Sequence, residues 1–273
     1  MLANATQKMK SLAGRRAAKQ FNKSLLDAAS APTPRYYAQF ITQRRDIMAA
    51  QRLRHRVFSE AYNVKLPGVF GFDRDRYDRH CKHLAVFDQQ SRKIVGYTRL
   101  LTQHGALKCG GFYSSNEFQL NGLYRLSGQV VELGRTCIHP DHRGGAIMTV
   151  LWGGLAKFMV QENVGHLIGC ASVAVTDDLD VQGLSQRLLS KYSAHQGLSV
   201  MPKRNAPTRS LVAQGSTSIP PLLAAYLRMG AKVCGEPCWD PDFNCLDYFI
   251  VMSLPDMPER YVQHYMRPVS AAV

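Results

Sequence analysis

No uncharged apolar run in the chain reaches the roughly 18 residues of a membrane-spanning helix, so none is expected. The N-terminus lacks the continuous apolar block of a secretory signal, which points to a cytoplasmic protein. Acidic residues are scarce: 20 Asp+Glu stand against 34 Lys+Arg, a formal charge of +14. Such an excess fits nucleic acid, anionic lipid or an acidic protein as partner, and charge alone does not choose among them. The seven cysteines are Cys81, Cys109, Cys137, Cys170, Cys234, Cys238 and Cys245. An odd number, scattered over the chain, argues for reduced thiols in a cytosol and against a disulfide framework. Cys234, Cys238 and Cys245 lie close together without a fourth ligand at finger-like spacing, so buried thiols are expected there and no metal. No internal repeat is visible.

What is present suits one large domain or two small ones. Hydrophobic residues at 45 % and charged residues at 20 % are ordinary for a chain that buries a core. Residues 1–34 form a separate basic extension. Lys8, Arg15, Arg16, Lys19 and Lys23 fall on one side of a helical wheel, opposite Ala13, Ala17, Phe21 and Leu25. That pattern fits an amphipathic helix on an anionic membrane surface, and equally a frayed basic tail. Pro32 and Pro34 end it.

From Tyr36 to about Ser59 the periodicity predicts a helix. His83–Asp88 and Lys93–Thr102 predict a hairpin around Asp88-Gln-Gln-Ser91. Gln129–Ile138 predicts a strand whose internal Gly134 marks a bulge. A core helix follows His139-Pro-Asp141, with Ile147, Leu151, Leu155, Phe158 and Met159 on one face. His166–Val175 predicts a strand and Asp177–Ser190 a polar helix. Residues 191–219 predict a long surface loop. Pro221–Met229 predicts a helix stopped by Gly230, and Asp247–Leu254 a last strand. The order fits one mixed α/β domain.

The most informative stretch is Val130-Val-Glu-Leu-Gly-Arg-Thr-Cys-Ile-His-Pro-Asp-His-Arg-Gly-Gly-Ala146. A strand with an internal glycine runs into a helix opened by Arg143, Gly144, Gly145 and Ala146. Free amides at a helix start can bind phosphate, and small residues let it approach. A purely structural turn fits the same residues.

This arrangement resembles the acyl-donor motif of the GNAT superfamily, whose fold is a mixed, mostly antiparallel sheet flanked by helices. More narrowly, the chain resembles the ornithine N-acyltransferases of bacterial ornithine-lipid synthesis and the related N-acyl amino acid synthases. More distantly it resembles the acyl-homoserine lactone synthases. The matching pieces are Leu53-Arg-His-Arg-Val-Phe58, Asp73-Arg-Asp-Arg-Tyr-Asp78, His83-Leu84 and Val95-Gly-Tyr-Thr-Arg-Leu-Leu101. Phe112-Tyr-Ser-Ser-Asn-Glu-Phe118, Glu132-Leu-Gly-Arg135, Gly169-Cys-Ala-Ser172 and Tyr226-Leu-Arg-Met-Gly-Ala231 continue the match. The resemblance implies an acyltransferase domain over 35–262, followed by a tail over 263–273. It also implies that Arg54, Phe58, Asp75, Asp78, Arg99, Glu132 and Arg135 line or brace the acceptor side.

One departure stands out. The superfamily's phosphate loop, Arg/Gln-x-x-Gly-x-Gly/Ala, is not matched by Arg143-Gly-Gly-Ala-Ile-Met148. A degenerate loop leans toward acyl carrier protein, with its single phosphodiester, over coenzyme A as donor. An acidic carrier would also give the excess positive charge a partner. No permanently bound cofactor is implied.

An amine attacking a thioester needs no covalent enzyme intermediate, because the thiolate leaves readily. The bulged strand at Leu133 and Gly134 is expected to present an N–H to the oxyanion. Glu132 is the candidate base, and the alternative pairs it with Arg135 or Arg99 as a salt bridge. Arg135 is the candidate for the acceptor's α-carboxylate or, alternatively, a strand brace. Asp75 and Asp78 are candidates for a cationic side chain such as ornithine's second amine, or else caps and partners of Arg74 and Arg79. His83 is expected to be structural. The pantetheine arm is expected between the strands ending near Cys137 and beginning near Gly169, beside Cys170 and Ser172.

Other acceptors, including a homoserine-lactone-type reaction, remain open. A non-enzymatic nucleic-acid or membrane module is the competing class. The arginines are dispersed among aspartates over 73–79, which disfavours nucleic acid.

Overall fold

The computed structural model describes residues 34–62, 71–193, 197–206 and 215–265. The expected basic helix over 1–34 and most of the tail over 263–273 lie outside them. Strand β1 (Tyr36–Ile41) precedes helix α1 (Arg44–Tyr62). Strands β2 (Lys82–Asp88) and β3 (Ile94–Thr102) form the expected hairpin, and Asp88 Oδ1 accepts the Gln90 and Ser91 amides in its turn. Helix α2 (Gln103–Lys108), the short strand β4 (Phe118–Asn121) and strand β5 (Gln129–Ile138) follow. Helix α3 (Ala146–Gln161) leads into β6 (Val164–Ala174), then α4 (Val181–Tyr192) and β7 (Ser199–Pro202). Helix α5 (Pro221–Arg228), strands β8 (Lys232–Val233), β9 (Cys238–Asp240) and β10 (Cys245–Ser253), and helix α6 (Glu259–Tyr265) complete the described elements.

The main sheet runs β1-β2-β3-β5-β6-β10-β8, with β9 also on β10, and β4 pairs with β7 separately. Every neighbouring pair of the main sheet is antiparallel except β5–β6, which α3 connects as a crossover. The main core lies between the sheet and helices α3, α4 and α5. Ile147, Leu151, Leu155, Phe158 and Met159 are all buried there, at the spacing that gives α3 one apolar face. A Cβ at Gly154 would stand 2.9 Å from that of Ala38, so this glycine lets α3 lie close to β1. A second core forms between α1, β2 and β3.

Two expectations are corrected. The predicted helix from Tyr36 divides into β1 and α1, because Tyr36–Ile41 is rich in β-formers and finds an open edge on β2. The helical repeat of Ile47, Leu53 and Val57 belongs to α1 alone. The predicted loop over 191–219 contains β7. That strand is short and its partner β4 is remote in sequence, so no local turn chemistry announces the pair.

Candidate active site

The β5–β6 ladder ends at Glu132↔Ile168. Beyond it β5 stays on β3 and β6 stays on β10, so the edges that face each other part company. A Cβ at Gly169 would lie 2.7 Å from the Leu133 carbonyl oxygen, so glycine is required where the strands begin to separate. A cavity of about 130 Å³ occupies this split. Leu133, Gly134, Gly169, Cys170 and Ser172 line its strand walls. Trp152 of α3 and Leu222, Leu223 and Tyr226 of α5 give it an apolar side. Phe58, Tyr62, Tyr113, Arg135, Phe243 and Asp247 give it a polar and aromatic side.

The bulge expected at Gly134 is present, as a register shift of β5 against Tyr97–Arg99 of β3. Its left-handed residue is Arg135, at φ 53°, a conformation that costs a non-glycine residue energy. That turn aims the Arg135 guanidinium among the rings of Tyr113, Phe243 and Phe58, at 5.0, 5.4 and 6.0 Å. Arg135 also bonds Asp73 at 3.1 Å and approaches Asp75 at 3.6 Å.

Behind Arg135 lies a buried charge network. Arg54 donates to Asp73 at 2.8 Å and to Asp78 at 2.7 Å. Arg99 grips Asp75 with two bonds of 2.6 and 2.7 Å and reaches Asp78 at 2.8 Å. Arg54, Arg99 and Arg135 thus balance Asp73, Asp75 and Asp78. Burial works against the Asp78 carboxylate, but Arg54 and Arg99 outweigh it and hold the group down to about 2. Of the expected acceptor residues, Phe58, Arg99 and Arg135 line the cavity, whereas Arg54, Asp75 and Asp78 lie behind and brace it. The partners of Asp75 and Asp78 are these arginines rather than Arg74 and Arg79. His83 is buried in β2 with one ring nitrogen on Tyr97 Oη at 2.6 Å and the other on the Asp78 carbonyl at 2.8 Å, a structural placement.

Glu132 lies in the cavity wall, 3 % exposed. Its carboxylate accepts the backbone amides of Tyr113 at 2.5 Å and Ser114 at 2.8 Å. Neither Arg99 nor Arg135 forms a salt bridge with it among the described residues. Burial pushes its pKa up, against the pull of those amides.

A second acidic group was not singled out by sequence. Asp247 of β10 lines the cavity opposite Ser172 and accepts its hydroxyl at 2.5 Å. Glu117, just before β4, is 2 % exposed, and its Oε2 receives no hydrogen bond from any described residue. Glu117, Cys170 and Asp247 hold their ligand-type atoms within 4.8 Å of one another, and so do Asp240, Cys245 and Asp247. Burial and the neighbouring Asp247 push Glu117 up to about 10, and burial pushes Asp247 up as well. The Cys170 thiol is also pushed up by burial, so it favours the neutral form, a weak metal ligand.

The sequence of this site has known counterparts. An acetyltransferase (GNAT) domain model matches residues 53–153. The L-ornithine N(alpha)-acyltransferase of Rhodobacter capsulatus is 32% identical, over 88% of this chain and 98% of its own length. The protein of the same name from Brucella abortus is 31% identical, over 81% of this chain and 85% of its own. The chain belongs to the family of L-ornithine N(alpha)-acyltransferases. Among solved structures, an N-acyl amino acid synthase from uncultured soil microbes shares the fold at a TM-score of 0.50 and 9% identity. The match covers 86% of this chain and 100% of that one.

In this acyltransferase the expected donor loop lies apart from the lined cavity. Pro140–His142 form a single tight turn, and α3 starts only at Ala146. Gly144 and Gly145 have φ of 145° and 95°, which reserves both positions for glycine. Arg143, Gly144 and Gly145 are exposed. Arg143–Ala146 do not line the cavity, whereas Cys170 and Ser172 do. No described helix is long and apolar enough to cross a membrane.

Proposed function

We propose that this acyltransferase moves a long-chain, 3-hydroxylated acyl group from acyl carrier protein to the α-amine of L-ornithine, giving lyso-ornithine lipid. The observation that carries the reading is the split between β5 and β6, with buried Glu132 in its wall beside the unpaired edge of Leu133 and Gly134. The relatives' names supply the acceptor.

The pantetheine arm would enter between β5 and β6, with Arg143, Gly144, Gly145 and Ala146 toward its phosphate and Cys170 and Ser172 along the wall. The apolar side formed by Trp152, Leu222 and Leu223 suits an acyl chain. Each Glu132 oxygen already accepts one amide yet keeps a second lone pair. With its pKa raised, Glu132 takes a proton from the acceptor ammonium, directly or through water. The freed amine attacks the thioester carbon, and an N–H at Leu133 or Gly134 stabilises the oxyanion. As the C–N bond forms the C–S bond breaks, and the departing thiolate takes up the proton that the newly acylated nitrogen loses. Arg135, held by aromatic rings and by the network of Arg54, Arg99, Asp73, Asp75 and Asp78, offers its guanidinium to the α-carboxylate. The +14 charge and the degenerate loop favour an acidic carrier as donor. A lipidic product fits a domain over 35–262 working at the inner membrane surface, with the basic residues of 1–34 toward anionic lipid.

The test offers ornithine with 3-hydroxyacyl carrier protein and, separately, with acyl coenzyme A, and follows product mass. Acylated ornithine from the carrier alone is expected. Product from coenzyme A alone would overturn the donor. Product only with another amino acid would overturn the acceptor and move the protein to general N-acyl amino acid synthesis.

A further inference from the structure

We infer that Glu117 and Asp247 form the binding site for a cationic side chain of the acceptor, the second amine of a diamino acid. This inference rests on the amino-acid acceptor reading and deepens it. The residues that the sequence pattern nominates for this task, Asp75 and Asp78, are already engaged by Arg99 and Arg54. Glu117 and Asp247 have no such counter-charge: no Lys, Arg or His forms a salt bridge with either among the described residues. Two carboxylates this close and this buried cannot both ionise without a cation, so in the empty site they retain a proton between them. When both are ionised, the buried Glu117 Oε2 receives no hydrogen bond, which is costly unless the shared proton or a ligand supplies the donor.

The geometry selects the ligand. Asp247 and Arg135 line the same cavity, as does Glu132. An acceptor can therefore place its carboxylate on Arg135, its reacting amine by Glu132 and a distant ammonium on Asp247 and Glu117. An ammonium offers three donors and one positive charge, which suits Glu117 Oε2 and the neighbouring Asp247 carboxylate. Arg54, Arg99 and Arg135 are taken up by Asp73, Asp75 and Asp78, and no described cation forms a salt bridge with Glu117 or Asp247. A diamino acid carries a net positive charge and a monoamino acid does not. Ser172, donating to Asp247 at 2.5 Å, fixes the carboxylate's orientation.

The experiment compares kcat/KM for L-ornithine and for L-norvaline, which has the same carbon chain without the second amine. The full chain is used, with acyl carrier protein as donor, as wild type, Asp247→Asn and Glu117→Gln. Wild type is expected to favour ornithine. Asp247→Asn should lower the ornithine/norvaline ratio about 30-fold or more, mostly through the ornithine KM. Glu117→Gln should lower it at least about threefold, a smaller effect because Asp247, the one of the two that lines the cavity, remains. Melting temperature and circular dichroism establish folding, and if Asp247→Asn does not fold, Glu117→Gln decides. A wild type that acylates ornithine while both variants keep its ratio overturns this inference and leaves the acceptor reading intact. A wild type that acylates neutral amino acids and ignores ornithine overturns both.

Discussion

Arg54 sits inside Leu53-Arg-His-Arg-Val57 of α1, at a position its helix turns inward, and is 0 % exposed. A guanidinium there persists only because Asp73 and Asp78 meet it, and breaking such a buried pair leaves uncompensated charge. Arg54→Ala should therefore destabilise the protein by about 3–5 kcal/mol at neutral pH, read by urea unfolding. A loss under about 1 kcal/mol would show that the network contributes little. Asp78 has a folded pKa below its unfolded one, so its stabilising contribution is full above pH ~4 and fades as pH falls toward ~2. The difference between Arg54→Ala and wild type should shrink over that acid window. At this scale the sequence already marked Arg54, Arg99, Arg135 and Glu132. It could not mark Asp247 and Glu117, because a single acidic residue near β4 and another on β10 carry no shared spacing; only the sheet order makes them neighbours.

Among the elements, the strand pair β5–β6 matters most. Its parallel ladder stops at Glu132↔Ile168, and Gly169 stands where the Leu133 carbonyl comes within 2.7 Å of a would-be Cβ. Gly169→Ala must push backbone aside at the mouth of the split. It should lower kcat/KM for the acyl donor about tenfold or more, by misplacing the thioester relative to Glu132, the proposed base. Steady-state kinetics with a melting-temperature control check this, and unchanged kinetics would mean that the separation absorbs a methyl group. The hairpin β2–β3, the bulged β5, helix α3 and strand β6 were legible because each carries its period and turn residues locally. Strand β1 was hidden by its run into α1. The β4–β7 ribbon was hidden because it pairs residues as remote in sequence as Leu120 and Val200.

For the whole molecule, the +14 charge has an expected kinetic consequence. If an acidic carrier docks by long-range attraction, kcat/KM for acyl carrier protein should fall about tenfold between low and high salt. An acyl-pantetheine donor, which lacks the carrier surface, should change less than about twofold under the same conditions. Equal sensitivity of the two donors would remove the electrostatic argument for a carrier. By itself the sequence determined the mixed α/β class, the strand–bulge–helix–strand unit at the centre, and the family, since these rest on local period, turn chemistry and ordered motifs. Only the tertiary structure decided which charges are free for chemistry. Ion pairing is a matter of three-dimensional proximity: the fold gives Asp75 and Asp78 to arginines, whereas Asp247 in the cavity wall and Glu117 beside it are paired with no described Lys, Arg or His.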